Sequence, residues 1–229
     1  MNASLYQAFF GNSKIKERVI ISPIFYPKVL APLLGSAPQE TRTLQNYTIA
    51  NFIYKGKNTS FIKVSIGPSH TGELTIMLKD TPCRQVILLG TIGGINKGMQ
   101  IGDLFVADSA ADGEGFSAWL KKNKPKEIYR PSLKLSKKIK ARFPNAHTGR
   151  LLTIGSILEE TPAVLKGYDG VDMESSALFS AAKAANIAAA GIYVVSDLPL
   201  TRPFYTIPKE EQYKILSELN KLLTIIIEL

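Results

Sequence analysis

The chain has 229 residues, 45% of them hydrophobic and 21% charged, which is a globular composition at a length suited to one domain. The single cysteine, Cys83, excludes an internal disulfide, and two lone histidines, His70 and His147, argue against a zinc site. No stretch has the length and purity of a membrane span and Met1–Gly11 lacks a secretory pattern, so a cytoplasmic location is expected.

Arg18–Ser22 is a β-branched run that reads as the first strand. Pro27–Leu34 reads as a helix with proline in its first turn and Gly35 at its end. Thr43–Tyr54 and Ser60–Ile66 read as a hairpin across Lys55-Gly56-Lys57-Asn58, and His70–Lys79 as a helix. Gln85–Leu89 is an uninterrupted apolar run of strand length, and Gly90-Thr91-Ile92-Gly93-Gly94 after it reads as a glycine-rich turn. Gly98–Asp103 predicts a turn into a strand at Leu104–Ala107.

The net charge of +9 is concentrated in residues 121–150, which hold eleven Lys and Arg and one acid, Glu127. Within that segment Leu135, Ile139 and Phe143 fall at i, i+4 and i+8, so Ser132–Phe143 predicts an amphipathic helix. Its lysines read as a solvated outer face. Nucleic acid is not the expected partner, because no aromatic residues alternate with the basic ones.

Further strands are expected at Arg150–Ile154, Gly170–Met173 and Ala188–Val195. They alternate with a short helix after Thr161-Pro162 and an alanine-rich helix at Glu174–Ala185. Lys209–Leu229 closes the chain, with Leu216, Leu219, Leu223 and Ile226 on one stripe. This alternation predicts an α/β fold: a three-layer α/β/α sandwich with a mixed, mostly parallel central sheet, residues 1–229 forming one domain. Gly90, Gly93 and Gly94 do not make the dinucleotide-binding GxGxxG, and no phosphate-binding Gly-Lys-Ser/Thr loop is present.

Two strings carry the candidate chemistry. In Val171-Asp172-Met173-Glu174, extended geometry would put Asp172 and Glu174 on one side and Met173 on the other. A carboxylate there suits the vicinal hydroxyls of a ribose. Equally, Asp172 could cap the next helix, with Glu174 in its first turn. In Val194-Val195-Ser196-Asp197 the acid follows an apolar strand, where burial raises a carboxyl pKa toward the range of a general acid. The competing reading is an Asp that caps the next turn. The glycines at 90, 93 and 94 allow close backbone approach to an anion or sugar oxygen beside Thr91. Gly67-Pro68-Ser69-His70 opens a helix whose N-terminus attracts anions, with a structural histidine as the alternative.

In order and at similar spacing, Leu89–Gly94, Ile101-Gly102-Asp103, Val171–Glu174 and Val195-Ser196-Asp197 resemble the nucleoside phosphorylase and nucleosidase family. The resemblance implies cleavage of an N-glycosidic bond without metal or organic cofactor. Inorganic phosphate would be a co-substrate where the reaction is phosphorolysis. It implies that Glu174 holds the ribose hydroxyls, Met173 packs on the sugar, and Asp197, oriented by Ser196, protonates a purine at N7. Gly90 and Thr91 would sit at the substrate, Thr91 toward the phosphate or nucleophile. Ile154 stands where the family often has a base-stacking aromatic. Members are dimers or trimers of dimers, so a homo-oligomer is expected.

The phosphorylases carry an arginine in the loop after the first strand, where this chain reads Ser22-Pro23-Ile24-Phe25-Tyr26-Pro27-Lys28. A second arginine, just before the strand-end glycine, is replaced by Leu88-Leu89. Lys28, Arg42 and His70 are the candidate substitutes. The hydrolases instead use a glutamate in that first loop, and residues 22–28 contain no acid. The expected reaction is phosphorolysis of a purine nucleoside to free base and ribose 1-phosphate, with hydrolysis, or nucleoside binding without catalysis, as the alternatives.

Overall fold

The computed structural model describes residues 2–115 and 127–229. Residues 121–126 of the basic segment therefore lie outside the described residues. In chain order the strands are β1 (Arg18–Ser22), β2 (Glu40–Arg42), β3 (Thr48–Tyr54), β4 (Lys57–Lys63), β5 (Gln85–Gly94), β6 (Leu104–Gly113), β7 (Ile128–Tyr129), β8 (His147–Ile154), β9 (Gly170–Asp172) and β10 (Ala188–Asp197). The described helices are α1 (Ala3–Phe10), α2 (Ala31–Leu34), α3 (Pro68–Met77), α4 (Leu133–Arg142), α5 (Pro162–Leu165), α6 (Ser175–Ala185) and α7 (Lys209–Ile226).

β1 and β5 are apolar at every core position because both their faces are covered. Val19, Ile21, Val86 and Leu88 point into one core with α1, α3 and α6; Ile20, Ile87 and Leu89 point into another with α4 and α7. This is the expected three-layer sandwich. On α4, Leu135, Ile139 and Phe143 are buried as the stripe predicts, and Ser132 caps the helix by accepting from the Leu135 N–H. On α7 the buried face is Ile215, Leu219, Leu222, Leu223 and Ile226, each contributing about 1.5–3 kcal/mol by burial. Leu216, expected on that stripe, is 39% exposed, because the buried face is rotated toward Ile215 and Leu222. None of the described helices is long and apolar enough to cross a membrane.

The long central pairings, β1 with β4 and β5, β5 with β10, and β6 with β8, are parallel. The antiparallel ones include the β3–β4 hairpin and short pairings. The sheet also curls. β10 pairs with both β5 and β6, β6 with β8, β8 with β9, and β9 with β5, so five strands close a circuit. The closure needs small residues where strands converge. A Cβ at Gly93 would lie 2.5 Å from Pro199 Cγ and 2.9 Å from Val171 Cγ1. This corrects the expected glycine turn: Gly90–Gly94 continue β5, and their glycines make room for neighbouring strands.

Candidate active site

The carboxyl ends of β5, β9 and β10 border one cleft of about 380 Å³. Its lining includes Thr91, Ile154, Met173, Glu174, Ser196 and Asp197. Open α/β sheets place ligand sites at such strand ends.

A β-bulge sets the Asp197 side. β10 pairs Val195 with Ile92 and Asp197 with Gly93, so Ser196 is the extra residue. A regular strand would send consecutive side chains to opposite faces; the bulge lets both Ser196 and Asp197 border the cleft. Ser196 Oγ lies 2.7 Å from Asp197 Oδ1 and 3.1 Å from the Ile92 carbonyl oxygen. Burial holds the Asp197 carboxyl above its ordinary range, against the lowering effect of donors from Ser196 and the Phe204 N–H.

On the facing side β9 stops at Asp172, so the strict alternation expected for residues 172–174 does not persist. Asp172 accepts from the backbone N–H groups of Glu174 (3.2 Å) and Ser175 (2.7 Å), from Thr153 Oγ1 (2.7 Å), and from Ser175 Oγ. Ser175 Oγ is also bonded to the buried Tyr193 hydroxyl. Glu174 is the N-cap residue of α6, while the Asp172 carboxylate takes the first helical N–H, that of Ser175, and four donors occupy its oxygens. The Tyr193 side chain is enclosed in this network.

With that N–H taken by Asp172, the Glu174 side chain is free to enter the cleft. Glu174 Oε1 accepts from the Gly67 N–H at 2.8 Å. Gly67 has φ +119°, a backbone conformation that a side chain would strain. Burial, then the adjacent Asp172 charge, pushes the Glu174 carboxyl up to about 8, while the Gly67 N–H and Lys63 oppose this.

Two bordering residues, Glu160 and Phe204, and one close by, Lys63, escape a reading of the strings. Glu160 follows a 3₁₀ turn closed by reciprocal bonds between Ser156 and Glu159. Its half-buried carboxyl is pushed up to about 7 by burial and by the Asp197 charge, and it has no hydrogen-bond or ion-pair partner among the described residues. Phe204 borders the cleft, and its backbone holds Asp197. Lys63 lies near Glu174, with its ammonium donating to the Pro23 (2.9 Å) and Val64 (2.7 Å) carbonyls. The only sequence signal for these is the aromatic–proline cluster at residues 203–205.

A family model, described as the phosphorylase superfamily, matches residues 25–228. The chain belongs to the phosphorylase superfamily. No curated protein matches it in sequence. Among solved structures it resembles uridine phosphorylase from Vibrio fischeri ES114, with 21% identity, TM-score 0.75, and coverage of 93% of this chain and 90% of that one. It resembles the Campylobacter jejuni 5′-methylthioadenosine/S-adenosyl homocysteine nucleosidase with 14% identity, TM-score 0.77, and coverage of 93% and 97%. The AMP nucleosidase of Bacteroides thetaiotaomicron VPI-5482 matches with 20% identity, TM-score 0.67, and coverage of 91% and 89%. At these identities the neighbours establish the fold of the superfamily.

Against that frame the expected nucleophile side is the part that disperses. Lys28 is exposed on the turn at residues 27–30, its ammonium 6.0 Å from the centre of the Tyr26 ring. Arg42 is exposed on β2, an edge strand. His70 is exposed on α3 and contributes its backbone carbonyl to Tyr47. None of the three borders the cleft. Gly90 also falls outside the lining, because it is buried beneath Pro23 and Tyr193. The loop after β1 is folded back by Ser22 Oγ, which accepts from the Ile24 and Phe25 N–H groups, so Pro23 and Ile24 face the cleft instead of a cation.

Proposed function

We propose that this chain cleaves the N-glycosidic bond of a purine nucleoside. The observation that carries the reading is that Glu174, Met173 and Asp197 border the same cavity, with Glu174 and Asp197 supplied by different strand ends. As the bond from C1′ to the base nitrogen breaks, its electron pair goes to the base and the sugar gains oxocarbenium character. Asp197 gives its proton to the base at N7, which removes the developing negative charge. Such an acid contributes about 10²–10⁴-fold to rate. Glu174 accepts from the ribose hydroxyls, and Met173 packs on the sugar. An oxygen nucleophile then bonds C1′ from the opposite face and loses its own proton.

Phosphate is the nucleophile the resemblance implies, entering beside Thr91 with Lys63 as the nearest cation. One observation favours water instead. The lining carries four carboxyls, Glu160, Asp172, Glu174 and Asp197, and no lysine, arginine or histidine. A phosphate dianion would find no cation in that lining to balance its charge. Of the exposed apolar side chains, Ile157 (44%) and Phe204 (46%) border the cleft, and Leu158 (87%) and Tyr205 (76%) are their chain neighbours. They support a second copy of the chain as the partner that covers this rim.

The test is release of free base from inosine, adenosine, methylthioadenosine and uridine, with and without phosphate. Release from purine nucleosides supports the reading, and its dependence on phosphate assigns the nucleophile. Preference for uridine would overturn the purine assignment. No release from any of them, with ligand still bound, would leave a nucleoside-binding protein.

A further inference from the structure

We infer that a second cavity, at the amino ends of the parallel strands, binds a small ligand carrying several phosphate charges. This cavity measures about 710 Å³, against about 380 Å³ for the cleft. Lys14, Lys16, Arg18, Lys57 and Arg84 border it, with Glu17 as the one acid in its lining. It is separate from the cleft. Gln85 lines it and Gly93 lines the cleft, eight residues further along β5, or about 25 Å at strand rise.

Five cations of the lining face one lining acid, Glu17. Lys14, Lys16 and Arg84 make no ion pair among the described residues. Arg18 is 6% exposed and forms part of the floor, with its terminal nitrogens donating to the Ile226 and Ile227 carbonyls at the end of α7. It caps that helix and adds a permanent positive charge beneath the cavity. The Lys57 ammonium donates to the Glu228 carbonyl; desolvation, then the Arg18 and Lys138 cations, lower its pKa against the opposing Glu228 carboxylate. Like charges gathered around a hollow repel one another, and an anion placed between them removes the repulsion.

The chemistry of the lining selects the ligand class. Ammonium groups and guanidinium forks together suit phosphate oxygens. The volume exceeds what one phosphate fills and falls within the range of small-ligand sites. No aromatic side chain borders the cavity, so nothing there offers a stacking surface to a nucleobase. A short polyphosphate chain, free or as the tail of a larger molecule, meets these conditions.

The probe is tripolyphosphate, titrated calorimetrically into the full chain at low and moderate salt. Saturable binding of one equivalent is expected, weakening as salt rises. Reversal of two cations, Lys16→Glu with Arg84→Glu, is expected to weaken it by about tenfold or more. Removal of Lys14 and Lys57 as Lys14→Ala with Lys57→Ala should weaken it by about threefold or more, and provides a second reading if the reversal variant does not fold. Unchanged affinity in the folded variants would overturn the site. So would a loss of binding on Lys137→Glu with Lys140→Glu, which would put the anion on the outer face of α4. Tighter binding of a duplex oligonucleotide than of tripolyphosphate, lost in the same variants, would overturn the ligand class. Absence of saturable binding would overturn the proposal outright.

Discussion

Glu160, Asp172, Glu174 and Asp197 border the cavity at the carboxyl ends of the central strands, while Lys14, Lys16, Arg18, Lys57 and Arg84 border the one at the amino ends. Between them Val19–Ile21 of β1 and Val86–Leu89 of β5 are apolar and buried. The strands serve both ends as the same inert frame, and chemistry is carried by residues at and just beyond their termini. The separation of about 25 Å exceeds the screening length of about 8–10 Å at ordinary ionic strength, so neither cluster titrates the other appreciably. The acidic end differs in a second way. Its carboxyls are wholly or partly buried and held above their ordinary range, as proton chemistry requires, whereas Lys14, Lys57 and Arg84 opposite are exposed.

That contrast can be broken most directly at Asp197. Asp197→Asn keeps the shape and removes the proton donor; turnover should fall by about 10²–10⁴-fold while tripolyphosphate binding is unchanged. Equal turnover in the variant would remove Asp197 from the mechanism. The converse experiment uses the basic end. Lys16→Glu with Arg84→Glu should weaken tripolyphosphate binding by about tenfold and leave base release at the wild-type rate. A parallel loss of turnover would show the two ends to be coupled.

A third experiment reads the acidic end through stability. The folded Glu174 retains a proton that the unfolded chain has already lost between its ordinary pKa near 4.5 and about 8. Within that window the folded state binds more protons, so raising the pH destabilises it. The melting temperature should fall across the window, and the slope should flatten in Glu174→Gln. An unchanged slope would show that Glu174 titrates normally. The smallest effect is expected at Ser196. Ser196→Ala removes one hydrogen bond to Asp197, about 0.5–1.5 kcal/mol, and should lower turnover by a few-fold.

The sequence itself determined the layers. Apolar runs at residues 18–22, 85–89 and 188–195, alternating with a 3.6-residue stripe at Leu135, Ile139 and Phe143, require strands buried on both faces beneath amphipathic helices. It also marked Glu174 and Asp197, because an acid directly after an apolar strand is a local signal. Only the tertiary structure decided what surrounds them. Glu160 reaches the cleft from the end of one 3₁₀ turn and Phe204 from another, and Lys63 comes near Glu174 from the end of β4, through packing that no local pattern encodes. The glycines at 93 and 94 read as a turn because their small size is the local signal, whereas the reason for it, the approach of Pro199, Val171 and Val195, is distant in sequence. The basic cavity was hidden for the same reason. Its cations come from the stretch before β1 and its first residue, from the start of β4, and from the residue just before β5, and they meet only when the parallel strands align their amino ends.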